Sequence, residues 1–159
     1  MTLYVAVVGG GDHVPTAQLQ MAEAVGRAVA DAGAVLVCGG LGGVMEAACR
    51  GAQAGGGLTV GILPGFDRHE ANRHVDVAIP TGMGEARNAL VVRAADAVVA
   101  VAGEYGTLSE IALALQAGIP VVGLDTWELA RRGEPVHAVV RAETPAGAVH
   151  EALRLARFV

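Results

Sequence analysis

The chain has 159 residues, 53% of them apolar, which is enough to bury the core of one domain. Its 11 basic residues are all arginine, so pyridoxal phosphate chemistry and a Walker-type phosphate loop are excluded, because both require a lysine amine. The net charge of -5 and the scattered arginines argue against a nucleic-acid surface, which needs clustered positive charge.

Apolar runs of strand length recur along the chain, and most are rich in valine without polar alternation. Continuous apolar runs are typical of strands that a parallel sheet buries on both faces. The predicted strands are residues 3–8, 34–38, 59–63, 76–79, 96–101, 120–124 and 138–140.

Helical patterns fill most of the intervals between these strands. The predicted helices are residues 15–32, 44–54, 84–95, 108–117 and 145–157. Gly33 is expected to end the first helix, and Thr144 followed by Pro145 to start the last one. The alternation predicts one domain over residues 1–159. Its fold is a doubly wound, Rossmann-like α/β fold with a mostly parallel sheet of six to seven strands, flanked by helices and joined by right-handed crossovers.

Two connections do not fit a simple crossover. Residues 64–75 are polar and irregular, which is typical of a lid or a binding loop. This segment holds His69 and His74, but no third ligand at a suitable spacing, so no metal site is predicted. Residues 125–136 hold Trp127, the only tryptophan, for which we expect a role in packing or in a subunit contact.

Glycine-bearing turns follow three of the predicted strands, at residues 9–11, 39–43 and 103–107. In an open parallel sheet, ligands bind at the carboxyl ends of the strands, where the strand order reverses. With the usual order, the first strand lies between the second strand and the strand at 96–101, so the three turns meet at one edge. The glycines expected to let a ligand approach the backbone are Gly9, Gly10, Gly39, Gly40, Gly43, Gly103 and Gly106.

The third turn has the features of a phosphate site. Gly103 and Gly106 remove side-chain bulk, and a helix beginning near Thr107 points free amides and its positive dipole end into the turn. The dinucleotide fingerprint is missing, because residues 9–14 read GGGDHV, so a single phosphate fits better than a dinucleotide. A structural alternative stays open, since Thr107 and Glu110 have the spacing of a capping box.

Three charged side chains, Arg87, Glu46 and Glu110, are candidates for orienting the ligand. The guanidinium of Arg87 is able to make a bidentate contact with phosphate or carboxylate; the alternative is a solvated arginine on a helix surface. Glu46 is expected to face the crevice, or else to be a surface residue favoured by the helix dipole. Cys38 and Cys49 are interpreted as small buried thiols without chemistry.

Three motifs together resemble the Lonely Guy-like (LOG-like) Rossmann superfamily, whose members were often labelled possible lysine decarboxylases. They are Gly39-Gly40-Leu41-Gly42-Gly43-Val44-Met45-Glu46-Ala47-Ala48, Arg87 ahead of Ala94-Ala95-Asp96-Ala97, and Tyr105-Gly106-Thr107-Leu108-Ser109-Glu110. The resemblance covers residues 3–124 and implies a nucleoside 5'-monophosphate phosphoribohydrolase. Arg87 and Glu110 would be its catalytic pair, with the carboxylate stabilising an oxocarbenium-like carbon and the arginine holding phosphate. The missing lysine excludes decarboxylation itself.

The departures from the hydrolase pattern resemble another branch of this superfamily. Residues 102–104 read Ala-Gly-Glu where hydrolases have Pro-Gly-Gly, Asn88 replaces a lysine, and Ser109 replaces a second glutamate. These changes resemble the molybdenum cofactor carrier proteins, which implies binding of a pterin phosphate without turnover. The first hypothesis is therefore a binding protein for a nucleotide or a molybdopterin-type ligand, with no required cofactor. A phosphoribohydrolase and a non-catalytic scaffold or regulatory subunit are the alternatives.

Composition also leads to expectations about location, oligomeric state and partners. No apolar run approaches the ~20 residues of a membrane span and no targeting signal is recognisable, so we expect a cytoplasmic protein without membrane contact. Only 17% of residues are charged and the mean hydropathy is +0.47, so we expect a homodimer or homotetramer that buries one face of each copy. The expected partner is a small phosphorylated ligand, and no nucleic acid.

Overall fold

The computed structural model describes residues 1–157, which alternate between strands and helices along almost their whole length. The elements are β1 (Tyr4–Gly9), α1 (Thr16–Asp31), β2 (Val35–Cys38), α2 (Val44–Ala54), β3 (Thr59–Leu63), β4 (Val77–Pro80), α3 (Asn88–Arg93), β5 (Ala97–Val101), α4 (Tyr105–Gln116), β6 (Val121–Leu124), β7 (Leu129–Arg131), β8 (Glu134–Val136), β9 (Val139–Arg141) and α5 (Pro145–Ala156). None of these helices is long and apolar enough to span a bilayer.

Seven of the strands form one parallel sheet in the order β4-β3-β2-β1-β5-β6-β9. The chain moves outward from β1 through β2, β3 and β4, and then returns to the other side of β1 with β5. The strand order therefore reverses at β1, and the doubly wound, Rossmann-like α/β fold is confirmed. This reversal opens a crevice at the carboxyl ends of β1, β2 and β5.

Both faces of the sheet are covered, which is why the central strands are apolar at every position. Val5 and Val7 of β1 pack in the cluster on the face with α1, α2 and α5. Ala6 and Val8 of the same strand pack in the cluster with α3 and α4 on the other face. Because successive strand residues point to opposite faces, a strand between two layers has no polar position to spare.

Helices α1 and α2 approach each other backbone to backbone. A Cβ at Gly26 of α1 would lie 1.9 Å from the carbonyl oxygen of Ala48, and one at Gly51 of α2 would lie 1.9 Å from that of Glu23. Only glycine fits at these two positions. The contact fixes α2, and with it the glycine turn that leads into α2.

The end of α1 and the start of α5 agree with the sequence, and the start of α3 does not. Gly33 and Gly118 adopt positive φ values of 71° and 74° after α1 and α4, and the hydroxyl of Thr144 accepts a hydrogen bond from the amide of Gly147 at 3.0 Å, capping α5. The single helix predicted over 84–95 is wrong. A short 3-10 turn at Gly84–Arg87 precedes α3, because Gly84 is in the left-handed region at φ 58° and starts a separate turn.

The connection over 125–136 contains an antiparallel hairpin, β7 and β8, that the sequence did not predict. Its two-residue loop is Arg132-Gly133, with φ values of 53° and 83°, as a type I′ turn requires. Strands of three residues are too short for a periodic pattern to reveal. The other connection, over 64–75, is irregular as predicted, apart from a 3-10 turn at Arg68–Glu70.

Replacing Gly26 by alanine is expected to lower the free energy of unfolding by about 2–3 kcal/mol, because the added methyl group collides with the backbone of Ala48. Urea denaturation followed by circular dichroism measures this. Gly106→Ala is the matched control, since a Cβ at that helical position meets nothing within 4 Å. We expect the control to leave the free energy of unfolding unchanged or to raise it. Equal values for Gly26→Ala and the wild type would contradict close packing of α1 on α2.

Candidate functional site

The three glycine turns meet at the carboxyl ends of β1, β2 and β5, as predicted. The amide of Val44, which begins α2, donates to the carbonyl oxygen of Gly10 at 2.9 Å. A Cβ at Gly43 would lie 2.3 Å from that same oxygen, and one at Gly9 would lie 2.7 Å from the carbonyl oxygen of Val101 in β5. Side chains at Gly9 and Gly43 would therefore push the turns apart.

Arg87 lies on the backbone of the second turn. Its Nη2 donates to the carbonyl oxygen of Gly39 at 3.4 Å, and a Cβ at Gly39 would lie 2.7 Å from this nitrogen. The same Cβ would lie 2.8 Å from the sulfur of Met45. Gly39 thus leaves room for a cation and a thioether at the edge of the crevice. Sequence reasoning missed Met45, because a methionine in the first turn of a helix carries no recognisable binding signal.

The guanidinium of Arg87 is buried, with 8% of the residue exposed, so it is not a solvated surface arginine. Its Nη1 donates to the side-chain oxygen of Asn88, but its Nε has no hydrogen-bond partner in the described part of the chain. Burial lowers the pKa of Arg87, and the negative charge of Glu110 opposes that shift. A buried N–H without an acceptor is costly, so this side chain is suited to an anionic ligand.

Glu110 of α4 is buried beside this cation. Burial raises the pKa of its carboxyl to about 7, while the charge of Arg87 acts in the opposite direction. The carboxyl makes no side-chain hydrogen bond and no ion pair among residues 1–157. It is therefore about half protonated near neutral pH, able to donate a hydrogen bond when neutral and to stabilise positive charge when ionised.

The third turn leads into α4 three residues before the predicted helix over 108–117. The helix begins at Tyr105 with Glu104 as its N-cap, and no side chain caps it. Thr107 and Glu110 are therefore inside the helix and buried, so the capping-box alternative is wrong. The amides of residues 105–107 have no acceptor in the described part of the chain. They are free to bind an anion.

The two glycines of this turn have different surroundings. Gly103 has φ 90°, and a Cβ there would lie 2.1 Å from Oγ1 of Thr107, so only glycine fits. Gly106 is exposed, and a Cβ there would meet no atom within 4 Å. The protein's own packing does not require glycine at position 106, and the space beside it is open.

The irregular loop over 64–75 packs against the second turn. The amide of Asn72 donates to the carbonyl oxygen of Gly40 at 2.9 Å, and its side-chain nitrogen donates to that of Leu41 at 2.9 Å. Gly40 itself has φ 78° and lies against Leu63. The loop therefore borders the crevice and holds the second turn in place; its action as a lid stays a prediction.

The remaining candidate residues make no hydrogen bond to Arg87 or Glu110 in the described part of the chain. Glu46 is half-buried on α2 and has no hydrogen bond or ion pair to Arg87 or Glu110. His69 pairs with Asp67 at 2.8 Å, and residues 1–157 hold no group of three or more potential ligands placed for a metal ion. The buried thiols of Cys38 and Cys49 lie 3.5 Å apart, beneath the second turn.

Trp127 packs on the third turn from the other side. Its indole N–H donates to the carbonyl oxygen of Glu104 at 3.1 Å, and its ring centroid lies 5.8 Å from that of Tyr105. The hydroxyl of Thr126 donates to the carbonyl oxygen of Ala102. These contacts fix the turn that precedes α4, and they give Trp127 the packing role that the sequence predicted.

Solved structures of known proteins share this fold. The chain is similar to the molybdenum cofactor binding protein of Rippkaea orientalis, with 34% identity, a TM-score of 0.87 and 98% of each chain covered. It is also similar to the molybdenum cofactor carrier protein of Chlamydomonas reinhardtii, with 35% identity, a TM-score of 0.86 and 100% of each chain covered. Both likenesses extend over the whole fold, and the resemblance to the carrier branch is confirmed.

A cytokinin riboside 5'-monophosphate phosphoribohydrolase of Mycobacterium tuberculosis is 35% identical over 119 residues, which are 69% of this chain and 63% of that protein. The family model of the SLOG cluster4 family matches residues 2–151, nearly the full length of the chain. This protein is therefore a member of the SLOG cluster4 family.

Proposed function

We propose that this protein binds a phosphate-bearing small molecule, a nucleotide or a pterin such as the molybdenum cofactor, in the crevice at the carboxyl edge of the sheet. One observation carries the proposal: α4 starts without a side-chain cap and carries Glu110, which interacts electrostatically with Arg87, a buried arginine whose Nε has no acceptor among residues 1–157. A phosphate offers oxygen acceptors to the free amides of the helix and negative charge to the buried arginine.

The backbone amides of Gly103, Gly106 and Thr107 hold the phosphate in this proposal, with the amide of Tyr105 beside them. Free amides and the dipole at a helix start attract an anion without any lysine. Gly9, Gly10, Gly39, Gly40 and Gly43 keep the neighbouring turns free of side chains, so the ligand is able to approach the sheet edge. Glu46 stays a candidate for orienting it.

Charge near the amides also supports an anionic ligand. Arg87 provides the buried positive charge, and the raised pKa of Glu110 leaves this carboxyl partly neutral near pH 7. A neutral carboxyl repels a phosphate less than a carboxylate does and donates a hydrogen bond to it. The names of the similar proteins support the same two ligand classes, a pterin cofactor and a nucleoside monophosphate.

Self-association is part of the proposal. Val77 and Ile79 of the edge strand β4 are 42% and 44% exposed, and Leu90 of α3 is 39% exposed. Val77 and Ile79 pair in register with Val60 and Ile62, which pack in the cluster on the α3–α4 face. An apolar extension of a buried face supports a homodimer or homotetramer.

Replacing Arg87 by glutamine is expected to weaken binding of adenosine monophosphate by about ten- to a hundredfold, because a charge-assisted contact to phosphate is lost. Isothermal titration calorimetry measures the affinity. Arg93→Gln, at the exposed end of α3, is the matched control and should bind like the wild type. Arg87→Lys keeps the charge without the planar fork and should lie between the two. Unchanged affinity in a folded Arg87→Gln variant would contradict the proposal.

The affinity for adenosine monophosphate is expected to fall as the pH rises through about 7, because Glu110 then loses its proton and repels the phosphate. The glutamine side chain of the Glu110→Gln variant cannot ionise, so the pH dependence of this variant's affinity reports only the titration of the ligand. The difference between wild type and Glu110→Gln, measured by calorimetry at several pH values, isolates the contribution of Glu110. A difference that does not change with pH would rule out contact between this carboxyl and the phosphate.

A second function, the phosphoribohydrolase, is favoured by the juxtaposition of Arg87 and Glu110 and by the Mycobacterium tuberculosis relative. In this reaction water adds to the anomeric carbon, the N-glycosidic bond breaks, and the base leaves with a proton. The ionised form of Glu110 stabilises the oxocarbenium-like carbon, so the rate would rise through pH 7 while the affinity falls.

Incubation with adenosine monophosphate and other nucleoside monophosphates, followed by chromatography for free base, separates the two functions. We expect retention of the ligand without release of base. Release that disappears in Glu110→Gln would replace the binding proposal with the hydrolase. If neither release nor retention of any phosphate compound occurs, the scaffold or regulatory role is the remaining function.

A further inference from the structure

A cavity of about 530 Å³ opens at the carboxyl ends of β6 and β9, on the side of the third turn away from Arg87. Its volume lies within the range of small-molecule sites. Gly123 and Ala142 line it, as do Leu129 and Val136 of the hairpin of β7 and β8. No residue of the proposed phosphate site lines it.

Trp127 gives this cavity an oriented aromatic wall. The hydrogen bond from its indole N–H to Glu104 and the ring of Tyr105 beside it fix the indole in one orientation. Trp127 lines the cavity and Tyr105 does not. The part of the indole that faces the cavity is therefore not covered by Tyr105. A fixed aromatic surface stabilises a flat heterocycle by stacking.

The charges around the cavity differ in sign from those of the phosphate site. Asp125, Glu128 and Glu143 contribute three carboxylates, against the single guanidinium of Arg141. Arg141 is already engaged, with Glu128 at 3.4 Å and Glu143 at 3.2 Å. A phosphate is repelled here, whereas a group that offers N–H donors finds oxygen acceptors.

The backbone connects this cavity to the phosphate site. Asp125, after β6, and Ala102, after β5, have φ values of 47° and 46°, which non-glycine residues seldom adopt. The hydroxyl of Thr126 donates to the carbonyl oxygen of Ala102 and locks the two turns together. Such conformations persist where surrounding structure imposes them, often at ligand sites. The turn after β6, which lines the cavity, is therefore held against the turn after β5, which contains Gly103.

We propose that this cavity binds the heterocyclic ring of the ligand whose phosphate lies on the start of α4. This inference rests on the proposed function and narrows it. The ring class that fits is flat and uncharged with two adjacent N–H donors, as in the 2-amino-4-oxopyrimidine edge that guanine and pterins share. Asp125 accepts from that edge with its two carboxylate oxygens, and Trp127 stacks on the ring. Adenine has no such pair of donors and fits less well.

Trp127 is the only tryptophan in the chain, so its fluorescence reports occupancy of the cavity directly. The protein is titrated with guanosine, guanosine monophosphate, adenosine monophosphate and inorganic phosphate. We expect guanosine and guanosine monophosphate to change the fluorescence and inorganic phosphate to leave it unchanged. Guanosine monophosphate should bind about tenfold more tightly than adenosine monophosphate, the difference that one charge-assisted contact makes.

Asp125→Asn tests the carboxylate, because asparagine tolerates the left-handed backbone at this position. We expect this substitution to lower the affinity for guanosine monophosphate by about tenfold and to leave the affinity for adenosine monophosphate unchanged. Glu134→Gln is the matched control, on β8 of the same hairpin but outside the cavity lining. Thermal unfolding of both variants confirms that the hairpin is intact.

The outcomes separate this inference from the proposed function. If guanosine monophosphate binds by calorimetry while the fluorescence and the Asp125→Asn affinity are unchanged, the ring site is wrong and the phosphate site stands. If guanosine binds as tightly as guanosine monophosphate, and Arg87→Gln binds both as the wild type does, the ring site stands and the phosphate site is wrong. If none of the four compounds binds, both are overturned.

Discussion

The site depends on one buried cation, Arg87, that the protein satisfies only in part. Taking a guanidinium out of water is costly, and the acceptors at hand are the carbonyl oxygen of Gly39 and the side-chain oxygen of Asn88. Glu110 compensates by charge, yet its own burial moves its pKa to about 7 and so reduces that charge. The positive charge of Arg87 is therefore not fully balanced by Glu110, and the proposed preference of the crevice for an anion rests on this imbalance.

Backbone geometry explains why so much of the site is glycine. The carbonyl oxygens of Gly10 and Val101 approach neighbouring turns closely enough to exclude a Cβ at Gly43 and at Gly9. This crowding follows from the reversal of strand order at β1, which brings turns from β1, β2 and β5 to one place. The glycines are thus required first by packing, and the open approach for a ligand is a consequence. Gly106 differs, because nothing in the protein excludes a side chain there.

The sequence predicted what local patterns control and missed what distant contacts control. Valine-rich runs located the sheet strands, and Gly33, Thr144 and Pro145 located helix ends, because backbone propensities act within a few residues. The burial of Arg87 arises from Gly39, 48 residues earlier, so no local pattern reveals it. The same holds for the hairpin over 129–136 and for Met45, whose place beside Gly39 is set by the packing of α2. The capping-box spacing of Thr107 and Glu110 was misleading, since the helix had already begun.

The third turn divides the carboxyl edge into two unlike halves and links them. On one side lie Arg87 and the free amides of α4, which favour an anion; on the other lie Trp127 and three carboxylates, which disfavour one. The carbonyl of Glu104, which accepts both the indole N–H and the amide of Leu108, joins the halves. A molecule with a phosphate at one end and a flat ring at the other, as proposed for this edge, has one favourable orientation there, because the charges of the two halves are opposite.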